Sequence, residues 1–263
     1  QAIWNRMYAD YLLNHTNPTS TGGKWAKIII DNANGDRYSN IGRWEMLAYQ
    51  MTSNATFARD AWTTWKRDSA GIVTGNEIRE YFIESVIIYD WIYPALTTTE
   101  RDEFRAWAID RANRVTAGAR LGDSDQVIGT YFGLALIDQV LGTNYLGGNL
   151  LDADAGISRP VGGLTATGIN TLTMRNAIKL YTEKMAAGGQ WIESSDYNLG
   201  TPQLLFMGAY GVQTATGIDY FPEVTAFRKQ NIKYNMHEMV PGLKDSFQWG
   251  DVESPNGLIF HVR

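Results

Sequence analysis

The chain has 263 residues, of which 44% are hydrophobic and 12% aromatic, enough apolar surface to bury a substantial core. A formal charge of −5 with no basic block argues against nucleic acid as a partner, because phosphate binding needs clustered Lys and Arg. The absence of cysteine removes disulfides, thiolate metal sites and a cysteine nucleophile, and no run of about 18 apolar residues offers a membrane span.

The length is read as one domain over 1–263. The chain opens at Gln1 without a signal-peptide pattern and stops at Arg263 just after a Pro-Asn-Gly loop, so a processed or partial chain is expected.

Helical periodicity dominates from Ile41 onward. Ile41, Trp44, Leu47, Ala48 and Met51 share one helical face. After a break at Thr52-Ser53-Asn54, Phe57, Ala61, Thr64 and Trp65 share another. A third helix is expected over Glu77 to Leu96, where Ile78, Phe82, Val86, Tyr89 and Tyr93 recur at helical spacing before Pro94. Thr98 or Thr99 is expected to cap the next helix, whose Glu100, Asp102 and Glu103 suit the positive end of its dipole. A further helix is expected from Asp125 to Leu141, closed by Gly142.

Residues 143–168, rich in Gly, Asp and Thr, read as a long excursion. Helices resume over Ile169 to Ala187, Pro202 to Thr214 and Pro222 to Met239. Only short runs such as Gly71-Ile72-Val73-Thr74 and Leu258-Ile259-Phe260 look β-like. The expected fold is all-α, an α/α toroid: an incomplete barrel of antiparallel helix pairs with short connections. No strict repeat accompanies it.

The most informative stretch is Gly188-Gly189-Gln190-Trp191-Ile192-Glu193-Ser194-Ser195-Asp196-Tyr197. It sets a carboxylate, hydroxyls and a phenol after a glycine pair, between two apolar helical patterns. Hydrogen-bonding groups that grip hydroxyls and flat rings that stack on sugars are what a carbohydrate cleft needs, so Trp191 and Ser195 are candidate binding residues.

Other candidates lie elsewhere. Tyr89, Trp91 and Tyr93 cannot all face the core, and Asp90 beside them either pairs internally or binds sugar. Arg43 and Arg79 are candidate carboxylate clamps. Of the three histidines, His237 is the one to test, because it ends a helix and a helix end that faces a cleft can reach substrate. No His-Glu-x-x-His pattern points to a zinc protease. Asp152-Ala153-Asp154 offers two alternating carboxylates that could take calcium, although a loop of this kind is usually just solvated; no cofactor and no catalytic metal are expected, and a structural metal stays open.

Three segments together resemble the heparinase II/III-like and alginate-lyase-like polysaccharide lyases. They are Arg43 to Thr52 followed by Phe57 to Trp62, then Tyr89-Asp90-Trp91-Ile92-Tyr93-Pro94-Ala95-Leu96-Thr97, then Gln190 to Tyr197. Their order and rough spacing agree with that family across most of the chain. The resemblance implies an α/α toroid, normally followed by β-sandwich domains that would lie beyond Arg263. It also implies a secreted or periplasmic enzyme that cleaves an acidic, uronate-containing polysaccharide by β-elimination.

By that resemblance Tyr197 is the base and acid, and Glu193 orients it or holds a sugar hydroxyl. Where the family commonly has an Asn-His pair to neutralise the uronate carboxylate, this chain has Asp125-Gln126. Gln126 can donate to the carboxylate, whereas Asp125 tolerates a uronate only when protonated or paired with a cation. Two other readings stay open: a glycoside hydrolase using Glu193 or Asp196 with Asp90, Asp123 or Asp125, or a non-catalytic carbohydrate-binding module.

Overall fold

The computed structural model describes residues 1–35, 41–72, 75–118, scattered positions between 129 and 141, 182–183, 186–190, 197–217, 219 and 221–238. Among them 83% are helical and none lies in a strand, so the chain is all-α. The Leu258 to Phe260 run and the 143–168 excursion lie outside the described residues. Two compact units are distinguished, one made of 1–77 with 84–108, the other of 78–83 with 109–263.

In the first unit, α1 (Ala2–Leu13) and α2 (Thr21–Asn34) precede the first helix that periodicity singles out. Ser20 caps α2 by accepting the Gly23 N–H at 2.9 Å, and its hydroxyl donates to Asp10 of α1. Then come α3 (Arg43–Thr52) and α4 (Ala55–Ser69), each helix packing on the one before it. Their core is Ala26, Ile29, Ile30, Ala48 and Met51, closed over by Trp4, Met7, Trp44 and Leu47 among others.

Ile41 stands before α3 rather than in it, buried and with φ +55. The cause is Gly42, which takes φ +95 so that the chain can pass the Ala61 carbonyl of α4; a Cβ on Gly42 would lie 2.5 Å from that oxygen. The break before α4 is made by Ser53 in the left-handed region and by Asn54, whose side chain accepts the Thr56 N–H.

Helix α5 (Gly75–Ile92) gives way to a single 3-10 turn, Tyr93–Ala95, at Pro94. Helix α6 (Thr98–Gly118) is capped by Thr97, not Thr98 or Thr99. The Thr97 hydroxyl accepts the Glu100 N–H while Glu100 accepts the Thr97 N–H at 2.7 Å, a reciprocal capping box written in the sequence as Thr97-x-x-Glu100.

Arg59 of α4 holds this corner by donating to Glu100 at 2.5 Å and to the Ala95 carbonyl. Desolvation pushes the Glu100 carboxyl up, but hydrogen bonds from Arg59, the Thr97 backbone and the Thr97 hydroxyl outweigh it and bring it down to about 2. Beneath lies an aromatic cluster: Trp62 stacks on Trp65, Trp65 meets Phe104 and Trp107, and Tyr89 stacks on Phe104 at 3.9 Å.

In the second unit, the described residues of the expected 125–141 helix are helical, and Phe132, Leu136, Ile137 and Leu141 among them are buried. Helix α7 (Tyr197–Thr216) begins five residues before Pro202, which lies inside it, and α8 spans Phe221–Glu238. Gly208 and Gly211 let α7 approach closely: a Cβ at Gly208 would fall 2.1 Å from the Phe132 ring, and one at Gly211 would fall 2.9 Å from Leu136.

Candidate functional site

The polar stretch that opens at Gly188 has a fixed origin. Gly188 and Gly189 both take φ +91, a conformation open to glycine at little cost. The Gly189 N–H closes a turn on the Ala186 carbonyl at 3.0 Å. The Gly188 N–H donates to the Gln230 side chain at 3.0 Å, and the buried Asn231 amide donates to the Gly189 carbonyl at 2.7 Å. One turn on, Asn235 donates to Asn231 at 3.2 Å. The backbone contact is so close that a Cβ on Gly189 would lie 2.1 Å from the Gln230 carbonyl carbon. A polar ladder on α8 therefore clamps the root of the stretch, and an apolar replacement of Asn231 would strand the buried Gly189 carbonyl.

The far end is set by α7, whose first residue is Tyr197. One turn later, on the same helical face, Thr201 is fully buried and its hydroxyl has no hydrogen-bond partner among the described residues. Pro202 lacks the N–H that would otherwise bond the Asn198 carbonyl. The start of α7 thus concentrates polar groups that its own helix leaves unused. Trp191, Glu193, Ser195, Asp125 and Gln126 lie outside the described residues, as does the side chain of Tyr197.

His237 is exposed in the last turn of α8. Seven residues, close to two full turns, separate it from Gln230, so it projects from the side of α8 that carries the glycine root. Among the described residues of the second unit, these two candidate features share a face.

The candidates of the first unit mostly have structural work. Tyr89 is only 6% exposed; its ring is stacked on Phe104 and meets Tyr93 edge-on, so neither face is open to a sugar. Its phenol is raised above the ordinary tyrosine value by desolvation. Arg43 is ion-paired with Glu84. Trp91 is half-buried with its ring edge against Trp4, and its carbonyl accepts the Gln50 amide at 2.7 Å. Asp90 is exposed, and desolvation by its surroundings raises its carboxyl above the ordinary value. The Tyr89 to Thr97 segment is thus a helix-ending device in which Tyr89 packs, Pro94 turns and Thr97 caps.

Sequence reasoning passed over Gln230, Asn231, Asn235 and Thr201. The signal available was Asn231 and Asn235 one turn apart on a helix whose neighbours Val224 and Phe227 are core, since a polar residue on a buried stripe needs a partner. No group of three or more acidic or histidine side chains poised for a metal occurs among the described residues, and no helix among them is long and apolar enough to cross a membrane. No family model matches the chain, and neither the curated proteins nor the solved structures give a significant match.

Proposed function

We propose that the chain is a polysaccharide lyase on an α/α-toroid scaffold, exported from the cell, which cleaves a uronate-containing acidic polysaccharide by β-elimination. The observation that carries this reading is the clamped glycine root: a stretch holding Glu193, Ser195 and Tyr197 leaves a fixed point on α8 and ends at the first turn of α7. Loops that carry chemistry are typically held this way by a rigid frame. The consecutive packing of α1 to α4 with short connections suits paired helices of a toroid.

In this mechanism Gln126 donates to the uronate carboxylate and so acidifies the C5 proton. The Tyr197 phenolate takes that proton. The electron pair of the broken C5–H bond forms the C4=C5 double bond as the C4–O4 bond breaks, and the Tyr197 phenol returns its proton to O4. An ordinary tyrosine titrates near ~10, so the phenolate needs a nearby donor or cation to favour it. Glu193 orients the phenol, while Trp191 and Ser195 hold the sugar.

The product carries a double bond conjugated to the carboxylate, which absorbs in the near ultraviolet. Incubation of the chain with a panel of polyuronates is expected to raise that absorbance on at least one polymer, and Tyr197→Phe is expected to abolish the rise. Absence of a rise on every polymer sinks the proposal; new reducing ends without absorbance would identify a hydrolase instead.

A further inference from the structure

The outward face of α8 carries two lysines and a histidine in one row. Lys229, Lys233 and His237 follow one another at four-residue intervals, forming a ridge about 12 Å long along the helix surface. All three are exposed, and none makes an ion pair or hydrogen bond with a described residue. The two glutamates of the helix, Glu223 and Glu238, fall at its ends, outside the run. In a chain of net charge −5, such a row is a local reversal of sign, and a cationic strip guides and holds anions.

Its place on the molecule says more. Gln230, next to Lys229, receives the Gly188 N–H and so joins this side of α8 to the root of the polar stretch. The opposite side of the helix is spent on its own core through Val224, Phe227 and Asn231.

We infer that the Lys229–Lys233–His237 ridge is a binding track for a linear polyanionic saccharide, leading the polymer to the stretch that begins at Gly188. The track rests on the lyase reading for the identity of its occupant, and it assigns residues outside the proton-transfer group. A polyuronate fits because it presents one carboxylate per sugar along an extended chain, which the ammonium groups of Lys229 and Lys233, one turn apart and followed by the hydrogen-bonding imidazole of His237, can meet without rigid register. A lipid surface fits less well: Ile232 and Met236 are the exposed large apolar side chains of this helix, too few for an interfacial helix that must bury a continuous apolar face.

The test is the binding of the full chain to immobilised polygalacturonate at two salt concentrations, comparing the parent with Lys229→Gln/Lys233→Gln and with Ile232→Ser/Met236→Ser. Circular dichroism and thermal unfolding confirm that each variant is folded, which the exposure of all four positions makes the expected result. The lysine variant should bind about tenfold more weakly at low salt and lose most of its salt dependence, while the apolar variant binds like the parent. Neutral dextran should not be retained.

Equal binding by parent and lysine variant overturns the track, as does failure of the parent to bind any polyuronate. So does preferential capture by vesicles of anionic lipid that Ile232→Ser/Met236→Ser abolishes, which would make the face a membrane contact. Product absorbance measured alongside separates the two proposals. Salt-sensitive binding lost in the lysine variant but with no product leaves the track standing and removes the lyase; product formation with unchanged binding does the reverse.

Discussion

Glu45 sits in the first turn of α3 at 8% exposure, with one carboxylate oxygen at 3.5 Å from the Thr64 hydroxyl and the other buried without a partner among the described residues. Desolvation raises its carboxyl above the usual 4.5; its own backbone N–H counters this, Asp60 adds to it, and Thr64 and Arg67 oppose it. Because the folded value is the higher one, the stability Glu45 contributes is fully present below 4.5 and is lost as the pH rises through the raised value. Glu45→Gln, which mimics the protonated side chain, is therefore expected to match the parent in thermal unfolding under acid conditions and to exceed it at neutral pH. A variant equal to or less stable than the parent at neutral pH refutes this account. Tyr89 shows the opposite lesson at the same scale, since a residue that resembles part of a functional motif turns out to hold Phe104 in the core.

Among the elements, the glycine root makes the sharpest distinction, because two neighbouring residues with the same φ of +91 face different surroundings. A Cβ on Gly188 meets nothing within 4 Å, whereas one on Gly189 meets the α8 backbone at 2.1 Å. Gly188→Ala is expected to cost about 1–2 kcal/mol from backbone conformation alone. Gly189→Ala must in addition push the stretch off Gln230 and Asn231, breaking their hydrogen bonds, and should destabilise by several kcal/mol. Chemical unfolding of the two variants side by side decides it: equal losses would mean that α8 does not clamp the root. The break before α4 was legible at Thr52-Ser53-Asn54, whereas the Ser20 cap of α2 and the Thr97-x-x-Glu100 box, though written locally, were passed over. Tyr197 as the first residue of α7 was not legible, because Pro202 signals a helix start and here is the sixth residue of one.

At the scale of the whole chain, the all-α class was legible because the apolar residues recur at helical spacing from Ile41 onward, and that pattern needs no partner to be seen. The α8 ladder was not legible, because Gly189 meets Asn231 across 42 residues and no local pattern links them. The same division applies to function, where Tyr197 and the Lys229–Lys233 pair are assigned different tasks, one in chemistry and one in holding the polymer. A proton-transfer group acts only in the transition state, so Tyr197→Phe should lower kcat by about two to four orders of magnitude with KM little changed. Lysines that hold polymer alike before and during reaction contribute uniform binding, so Lys229→Gln/Lys233→Gln should raise KM, more at low salt than at high, and leave kcat near the parent value. Steady-state kinetics on one polyuronate at two salt concentrations test both assignments together. A fall in kcat for the lysine variant would place the ridge among the groups that act on the transition state. A rise in KM alone for Tyr197→Phe would take the phenol out of the proton transfer and leave it a sugar contact.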